Sequence, residues 1–237
     1  MHYDPVLAIV IPVYNEQQNL PALVRDWQKA FEAAAISYRI IFIDDGSKDS
    51  SLAILRAMQE ANPALEVHTR ANSGHGPAIL HGYRLAVARN AEWIFQIDSD
   101  HQLETTAFGV LWENREAFDL LIAERTNMSA TVGRRQISMA SRAIVRWLYG
   151  SRVRDVNCPY RLMRAEKLQT ALEKISSDSF APNVLISSWF LKKKTRIFTT
   201  VSMPREDGVM RPSKMNWYFF RGALQSAFQT FLFRIRL

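Results

Sequence analysis

The chain has 237 residues, with 30 Lys and Arg against 23 Asp and Glu for a formal charge of +7, and 48% of its residues are hydrophobic. That is enough apolar material for one ordinary domain with a real core, and with only 9 Gly and 9 Pro it excludes collagen-like, low-complexity and disordered chains. A single cysteine, Cys158, excludes an internal disulfide framework and a zinc site built from paired cysteines, so a reducing, cytoplasmic compartment is expected.

Met1-His2-Tyr3-Asp4-Pro5 lacks the basic flank and apolar run of a signal peptide, and no stretch reaches the roughly 18 apolar residues of a spanning helix. From there to residue 125, short β-rich runs alternate with longer amphipathic ones, which predicts an α/β fold with a mainly parallel central sheet flanked by helices. Strands are expected at Leu7 to Val13, Ile40 to Ile43, Leu65 to His68, Trp93 to Ile97 and Leu120 to Ala123. Helices are expected at Gln17 to Ala35, Ser50 to Ala61, Gly76 to Asn90 and Glu104 to Phe118. Polar clusters follow three of the strands: Tyr14-Asn15-Glu16, Asp44-Asp45-Gly46-Ser47 and Asp98-Ser99-Asp100. Ligands of such sheets sit where strands end, so the three clusters should share one edge and one site.

Beyond Arg125 the pattern becomes a loop, a basic helix from about Arg134 to Tyr149 and mixed short elements. No repeat or linker divides the chain, so residues 1–215 are read as one domain followed by an amphipathic helix in 216–237. Trp217, Phe220, Leu224, Phe228, Phe231 and Ile235 recur at helical spacing, with Arg221, Arg234 and Arg236 beside them. Such a stripe suits a membrane interface, the domain's own surface or a second copy of the chain.

Asp98-Ser99-Asp100, continued by His101-Gln102, is the most informative cluster. Two carboxylates separated by one residue at a strand end can share a hard divalent cation, Mg²⁺ or Mn²⁺, which in turn can hold a diphosphate. Alone the motif is also a common acidic turn. Its company is Ile11-Pro12-Val13-Tyr14-Asn15-Glu16, Phe42-Ile43-Asp44-Asp45-Gly46-Ser47 and Asn72-Ser73-Gly74-His75-Gly76. In this order and spacing the set resembles the family 2 inverting glycosyltransferases of the GT-A fold. Within that family, Asp98-Ser99-Asp100-His101-Gln102 looks like the variant found in dolichyl- and polyprenyl-phosphate sugar transferases.

The resemblance implies that Pro12, Tyr14 and Glu16 line the nucleotide pocket, with Asp44 reading the base edge or ribose and Asp45 beside it. It also implies that Asp98, Asp100 and Gln102 bind metal and diphosphate around Ser99, while Asn72 and Gly74 bring backbone close to the donor. In the second half, Arg125 and then Arg134 and Ser138 match the positions that hold the acceptor phosphate. Arg134 and Ser138 would share one face of a helix. Asp155-Val156-Asn157-Cys158-Pro159-Tyr160-Arg161 resembles the family's Asp-x-x-x-Gly-Phe-Arg block, with Pro159 in place of Gly and Tyr160 in place of Phe. Arg205 and Lys214 match a basic stretch that closes over the donor diphosphate.

The expected activity is transfer of a sugar from a nucleotide diphosphate donor, a UDP- or GDP-sugar, to a polyprenyl phosphate, at the cytoplasmic face of a membrane. An acceptor phosphate is already anionic near neutrality and needs no general base. A saccharide-hydroxyl acceptor would need one, and Asp178 is the residue available for that alternative. Nucleic acid is not an expected partner, because Lys192-Lys193-Lys194 is a short basic run with no recognition motif around it.

Overall fold

The computed structural model describes residues 5–125, 153, 155–205 and 228–233. Strands form at the five expected places: β1 (Leu7–Val13), β2 (Tyr38–Asp44), β3 (Leu65–Thr69), β4 (Trp93–Gln96) and β5 (Leu120–Arg125). Between them lie α1 (Leu20–Ala33), α2 (Ser51–Ala61), α3 (His75–Ala88) and α4 (Thr106–Asn114). The second half adds β6 (Arg161–Arg164), α5 (Ala165–Leu172), α6 (Pro182–Lys192) and β7 (Ile197–Ser202). The seven strands make one sheet in the order β3-β2-β1-β4-β6-β5-β7. All neighbours run parallel except β6, which pairs antiparallel with both β4 and β5. Every residue of β1 is buried, as a parallel strand covered on both faces requires.

Two helices start later than predicted because their first residues are spoken for. Instead of opening α1 at Gln17, the backbone N–H groups of Asn15, Glu16 and Gln17 donate to Ser47 Oγ, Ser51 Oγ and Asp49 Oδ2, at 3.0, 2.8 and 3.3 Å. Residues ahead of α4 bridge to the chain after β7: Leu103 pairs with Pro204, and Glu104 N–H donates to Met203 O at 3.2 Å. The predicted helix to Phe118 therefore runs from Thr106 to Asn114 and ends in a 3-10 turn, Arg115–Ala117.

The two faces of the sheet are built differently. Val10 and Gln96 sit opposite each other in the β1–β4 register and face α3, where Gly82 lets the helix axis approach Val10. Side chains alternate across a strand, so Phe95 turns to the other face. There Trp27 and Phe31 of α1, Phe108 of α4 and Tyr160 form an aromatic cluster with it, ring centroids about 5–6 Å apart.

The sheet also splits where a ligand would enter. β1 runs on to Val13, but its pairing with β4 stops at Val10 opposite Gln96. The Val10 carbonyl accepts from Ile97 N–H and the Val13 carbonyl from Asp45 N–H, so even-numbered residues direct their backbone groups toward β4. Pro12, a residue ordinarily excluded from a central strand, stands on that side just past the last β4 partner, where no ladder bond is lost. Because β2 and β3 lie on one side of β1 and β4 on the other, this gap is the topological switch point of the sheet.

Candidate active site

Three loops meet at this gap, and side-chain-to-backbone bonds fix them to one another. The β1–α1 and β2–α2 loops are zipped from both sides: besides the three bonds above, Lys48 N–H donates to Asn15 Oδ1 at 2.7 Å and Ser50 N–H to Gln17 Oε1 at 2.9 Å. Asn15 takes φ 55° to do this, a conformation asparagine tolerates better than most residues. Glu16 accepts from Asn19 Nδ2 at 2.5 Å. Tyr14 is exposed beside it, and Pro12 is buried in β1.

Asp44 and Asp45 are both buried, and they serve different neighbours. Asp44 accepts from Ser47 N–H at 3.2 Å and from Thr69 Oγ1 at 2.9 Å, which ties the end of β2 to its own turn and to β3. Asp45 turns to the β3–α3 loop and accepts from Ser73 N–H, Ser73 Oγ and Gly74 N–H at 3.1, 3.2 and 2.8 Å, with Arg70 Nε at 3.6 Å. Each oxygen of an ionised carboxylate can accept more than one bond, so Asp44 retains acceptor capacity for a ligand. Asp45 holds the Asn72-Ser73-Gly74 loop in place. Directly after them Gly46 adopts φ +72°, and a Cβ there would stand 2.9 Å from Asn72 N.

The acidic cluster follows β4. Asp98, Asp100, His101 and Gln102 line a small open cleft together with Arg125 from the end of β5 and Tyr160. Ser99 points inward and is buried. Asp98 Oδ1 is approached at 3.5 Å by His75 Nε2 from the tip of α3 and by Gln96 Nε2 from within the sheet. Burial and the adjacent Asp98 charge, with a further push from Glu16, raise the Asp100 carboxyl to about 7, against the Gln102 N–H and Arg125 that favour its ionised form. A carboxyl raised in this way gives up its proton more readily when a cation stands beside it.

Arg125 faces them across the cleft. Its Nε and Nη2 both reach Asp155 Oδ2 at 2.8 Å. Burial works against its charge, but Asp155, Cys158 and Asp98 together outweigh that and bind its proton more tightly. A guanidinium carries five N–H donors, so the Asp155 pairing leaves it able to take an anion. Arg205, the other predicted basic residue in view, stands next to Gln102 and is not among the residues that line the cleft. Its N–H donates to Gln102 O at 2.9 Å, and its guanidinium pairs at 2.9 Å with Asp26 of α1, which also meets His101 at 3.2 Å. Arg134, Ser138 and Lys214 lie outside the described residues, as do the residues where a basic helix is expected, about 134–149, and most of the C-terminal stripe.

Behind the cleft, residues of the Asp155-to-Arg161 block act on the protein itself. Arg161 is fully buried and donates to the carbonyls of Cys158, Val156 and Asn183 at 2.7, 3.0 and 3.1 Å and to Ser187 Oγ at 3.3 Å. Tyr160 hangs its hydroxyl on the Glu104 and Thr105 carbonyls, which seats the start of α4. Cys158 is a core residue, its thiol pushed up to about 12 by burial and by Asp155. Gln96, Asn183 and Asp26 were absent from the predicted site. The readable signal for Gln96 is a lone amide inside the apolar run Trp93 to Ile97.

Among the described residues, no group of three or more His, Cys, Asp or Glu side chains can hold a metal ion by itself. A pair of carboxylates beside a diphosphate is nonetheless the donor set that Mg²⁺ and Mn²⁺ accept in enzymes of phosphorylated substrates, since these ions take hard oxygen ligands and share them with substrate phosphates. Asp98 and Asp100 fit that set.

Known proteins resemble this chain in sequence and in fold. Undecaprenyl-phosphate 4-deoxy-4-formamido-L-arabinose transferases from Salmonella choleraesuis (strain SC-B67) and Salmonella newport (strain SL254) are each 29% identical to this chain over 194 residues, 81% of this chain and 58% of theirs. The chain thus spans under two thirds of the length of those curated relatives. Glucosyl-3-phosphoglycerate synthase from Mycobacterium tuberculosis, solved with Mn²⁺, uridine diphosphate and phosphoglyceric acid, superposes with a TM-score of 0.67 at 18% identity, covering 97% of this chain and 78% of that chain. TarS of S. aureus in complex with UDP gives 0.58 at 17% identity over 83% of this chain and 59% of that chain. These superpositions establish the GT-A fold. The profile of Glycosyl transferase family 2 matches residues 8–171, well over half of the sequence, and the chain belongs to that family.

Proposed function

We propose that the chain is a metal-dependent inverting glycosyltransferase that moves a sugar from a nucleoside diphosphate sugar to a polyprenyl phosphate of the undecaprenyl type. The observation that carries this reading is the cleft itself, where the Asp98–Asp100 carboxylates and the Arg125 guanidinium face one space at the switch point of the sheet. One side suits a cation with its diphosphate, the other an acceptor phosphate. The Salmonella relatives are named for transfer to undecaprenyl phosphate, and the M. tuberculosis and S. aureus structures hold UDP.

In this reading the β1–α1 loop with Tyr14 and Glu16, together with Asp44, receives the nucleoside. Asp98, Asp100 and Gln102 hold the metal and diphosphate against the backbone of Asn72 and Gly74. When bound, the metal neutralises charge that grows on the leaving diphosphate. Arg125, joined by Arg134 and Ser138, orients the acceptor phosphate for attack on the face of the anomeric carbon opposite the leaving group. No residue of the chain needs to act as nucleophile or base. Arg205 and Lys214 serve the donor diphosphate, with Arg205 exchanging Asp26 for phosphate.

The same reading places residues 1–215 in the catalytic domain and gives the C-terminal segment to the membrane surface at the cytoplasmic face. Phe228 and Phe231, members of the predicted stripe, are exposed, while Thr230 and Phe233 pack inward. Exposed Phe180 lies alongside, its N–H donating to Gln229 Oε1 at 3.2 Å. Among the described residues no helix is long and apolar enough to cross a membrane.

The test is nucleoside diphosphate release from a panel of UDP- and GDP-sugars with Mg²⁺ or Mn²⁺, with and without undecaprenyl phosphate in detergent. Release that needs both lipid and metal and is lost in Asp100→Ala is the expected result. Release driven by a saccharide acceptor and abolished by Asp178→Asn would replace this reading with hydroxyl glycosylation. Donor binding with no release would leave a binding module.

A further inference from the structure

A closed set of polar side chains lies directly beneath the acidic cluster. Tyr83 of α3, Gln96 of β4 and Asn183 of α6 are all buried, with 0%, 0% and 3% of their surface exposed. The Gln96 carbonyl oxygen accepts from Tyr83 Oη at 2.7 Å and from Asn183 Nδ2 at 2.8 Å, and Tyr83 Oη also lies 3.1 Å from Asn183 Oδ1. The Asn183 backbone carbonyl is in turn held by Arg161 Nη1 at 3.1 Å. As arranged here, both ends of the Gln96 amide are used, its oxygen by two donors and its NH₂ by a carboxylate. Turned over, Gln96 would oppose its NH₂ to that of Asn183 and its carbonyl oxygen to the Asp98 carboxylate. The network therefore fixes which end of Gln96 faces the cleft, and that end is the NH₂, 3.5 Å from Asp98 Oδ1.

We infer that Gln96 is a positioning residue for Asp98: buried between Tyr83 and Asn183, it presents its amide NH₂ to one oxygen of the Asp98 carboxylate and so orients the other for a divalent cation. The inference rests on the metal role given to Asp98 above. Asp98 lies on the second residue past β4 and is partly exposed, so nothing in the strand ladder sets its side-chain torsions. His75 approaches the same oxygen from an exposed position on the loop side, whereas Gln96 approaches from a fully packed one. Partners of this kind, which touch a ligating group rather than the ion, commonly alter metal affinity by about 10–100-fold when removed.

Mn²⁺ binding to the full chain, followed by the EPR signal of the free ion with Mn²⁺ alone and with Mn²⁺ plus UDP, tests this. Wild type, Gln96→Leu and Tyr83→Phe are compared at one pH, with thermal melts in parallel. Gln96→Leu is expected to weaken Mn²⁺ binding about 10-fold or more while the folded protein still binds UDP in the absence of metal. Tyr83→Phe, which keeps the ring and removes one anchor of the amide, should shift affinity the same way by less. Wild-type Mn²⁺ affinity in folded Gln96→Leu overturns the inference and leaves the metal reading of the site intact. If Gln96→Leu does not fold, unchanged affinity in Tyr83→Phe overturns it instead. A wild-type protein that takes up no Mn²⁺ under either condition overturns the metal reading and this inference together.

Discussion

Asp100→Asn should stabilise the chain at neutral and alkaline pH when divalent cations are withheld. Burial and the Asp98 charge raise the Asp100 carboxyl from 3.8 to about 7, so the fold favours its protonated form. Below about pH 4 the group is protonated in both folded and unfolded chains and contributes nothing to the difference. Between about pH 4 and 7 the unfolded chain gives up the proton and the folded chain keeps it, so stability falls as pH rises; above that range the deficit is constant. A gap of about three pKa units at about 1.4 kcal/mol each amounts to about 4 kcal/mol by pH 8, more than half of which develops between pH 5 and pH 8. For a chain of this size that is a midpoint difference of about 8–16 °C. Urea denaturation in EDTA at pH 5 and pH 8 measures it: the stability advantage of Asp100→Asn over wild type should grow by about 2–3 kcal/mol between the two. Mg²⁺ or Mn²⁺ should then restore wild type at pH 8 and leave the variant unchanged. Wild-type and variant stabilities that run parallel from pH 5 to 8 would refute the assignment of a strained, cation-seeking carboxylate to this position.

Two further substitutions probe the scaffold. Gly76→Ala puts a Cβ 2.2 Å from Ser179 O and 2.5 Å from Phe180 O, backbone atoms that must move apart, and is expected to cost about 3 kcal/mol. A thermal melt at the wild-type midpoint would show that the loop yields freely. Arg161→Met strips donors from three buried carbonyls and from Ser187, with an expected loss of about 3–5 kcal/mol. Hydrogen exchange should show the loss concentrated in residues 156–192, with β1 to β3 less affected.

The first half of the fold is legible in the sequence because strands buried on both faces appear as unbroken apolar runs, on which β1, β2, β4 and β5 fall, while the edge strand β3 alternates buried Leu65 and Val67 with part-exposed Glu66 and His68. The second half hides for equally physical reasons. β6 offers only Leu162 and Met163 between two arginines, and it becomes a strand by filling the space between β4 and β5. In α6 nine of eleven residues are buried, Asn183, Ser187 and Ser188 among them, so the helix has no polar face to mark its period. The sequence places Asp44 and Asp45 side by side as equals, and only the backbone decides that one secures β3 while the other secures the Ser73-Gly74 loop. The acidic pair is named from its spacing after a strand, and Arg125 from the family resemblance. Their attendants are not so named: Asp26 meets His101 and Arg205 from a helix, and Arg205 is 179 residues away.

Pro12 has a bearing on self-association as well as on ligand entry. Wherever two strands of a sheet part, their unpaired amides and carbonyls are an invitation to any extended segment, from this chain or another, to insert and continue the ladder. At the mouth of this gap the side of β1 that has lost β4 offers a pyrrolidine ring where an amide would stand. An intruding strand would find one of its carbonyls without a donor, and the seam in the middle of the sheet resists being sewn shut by a peptide.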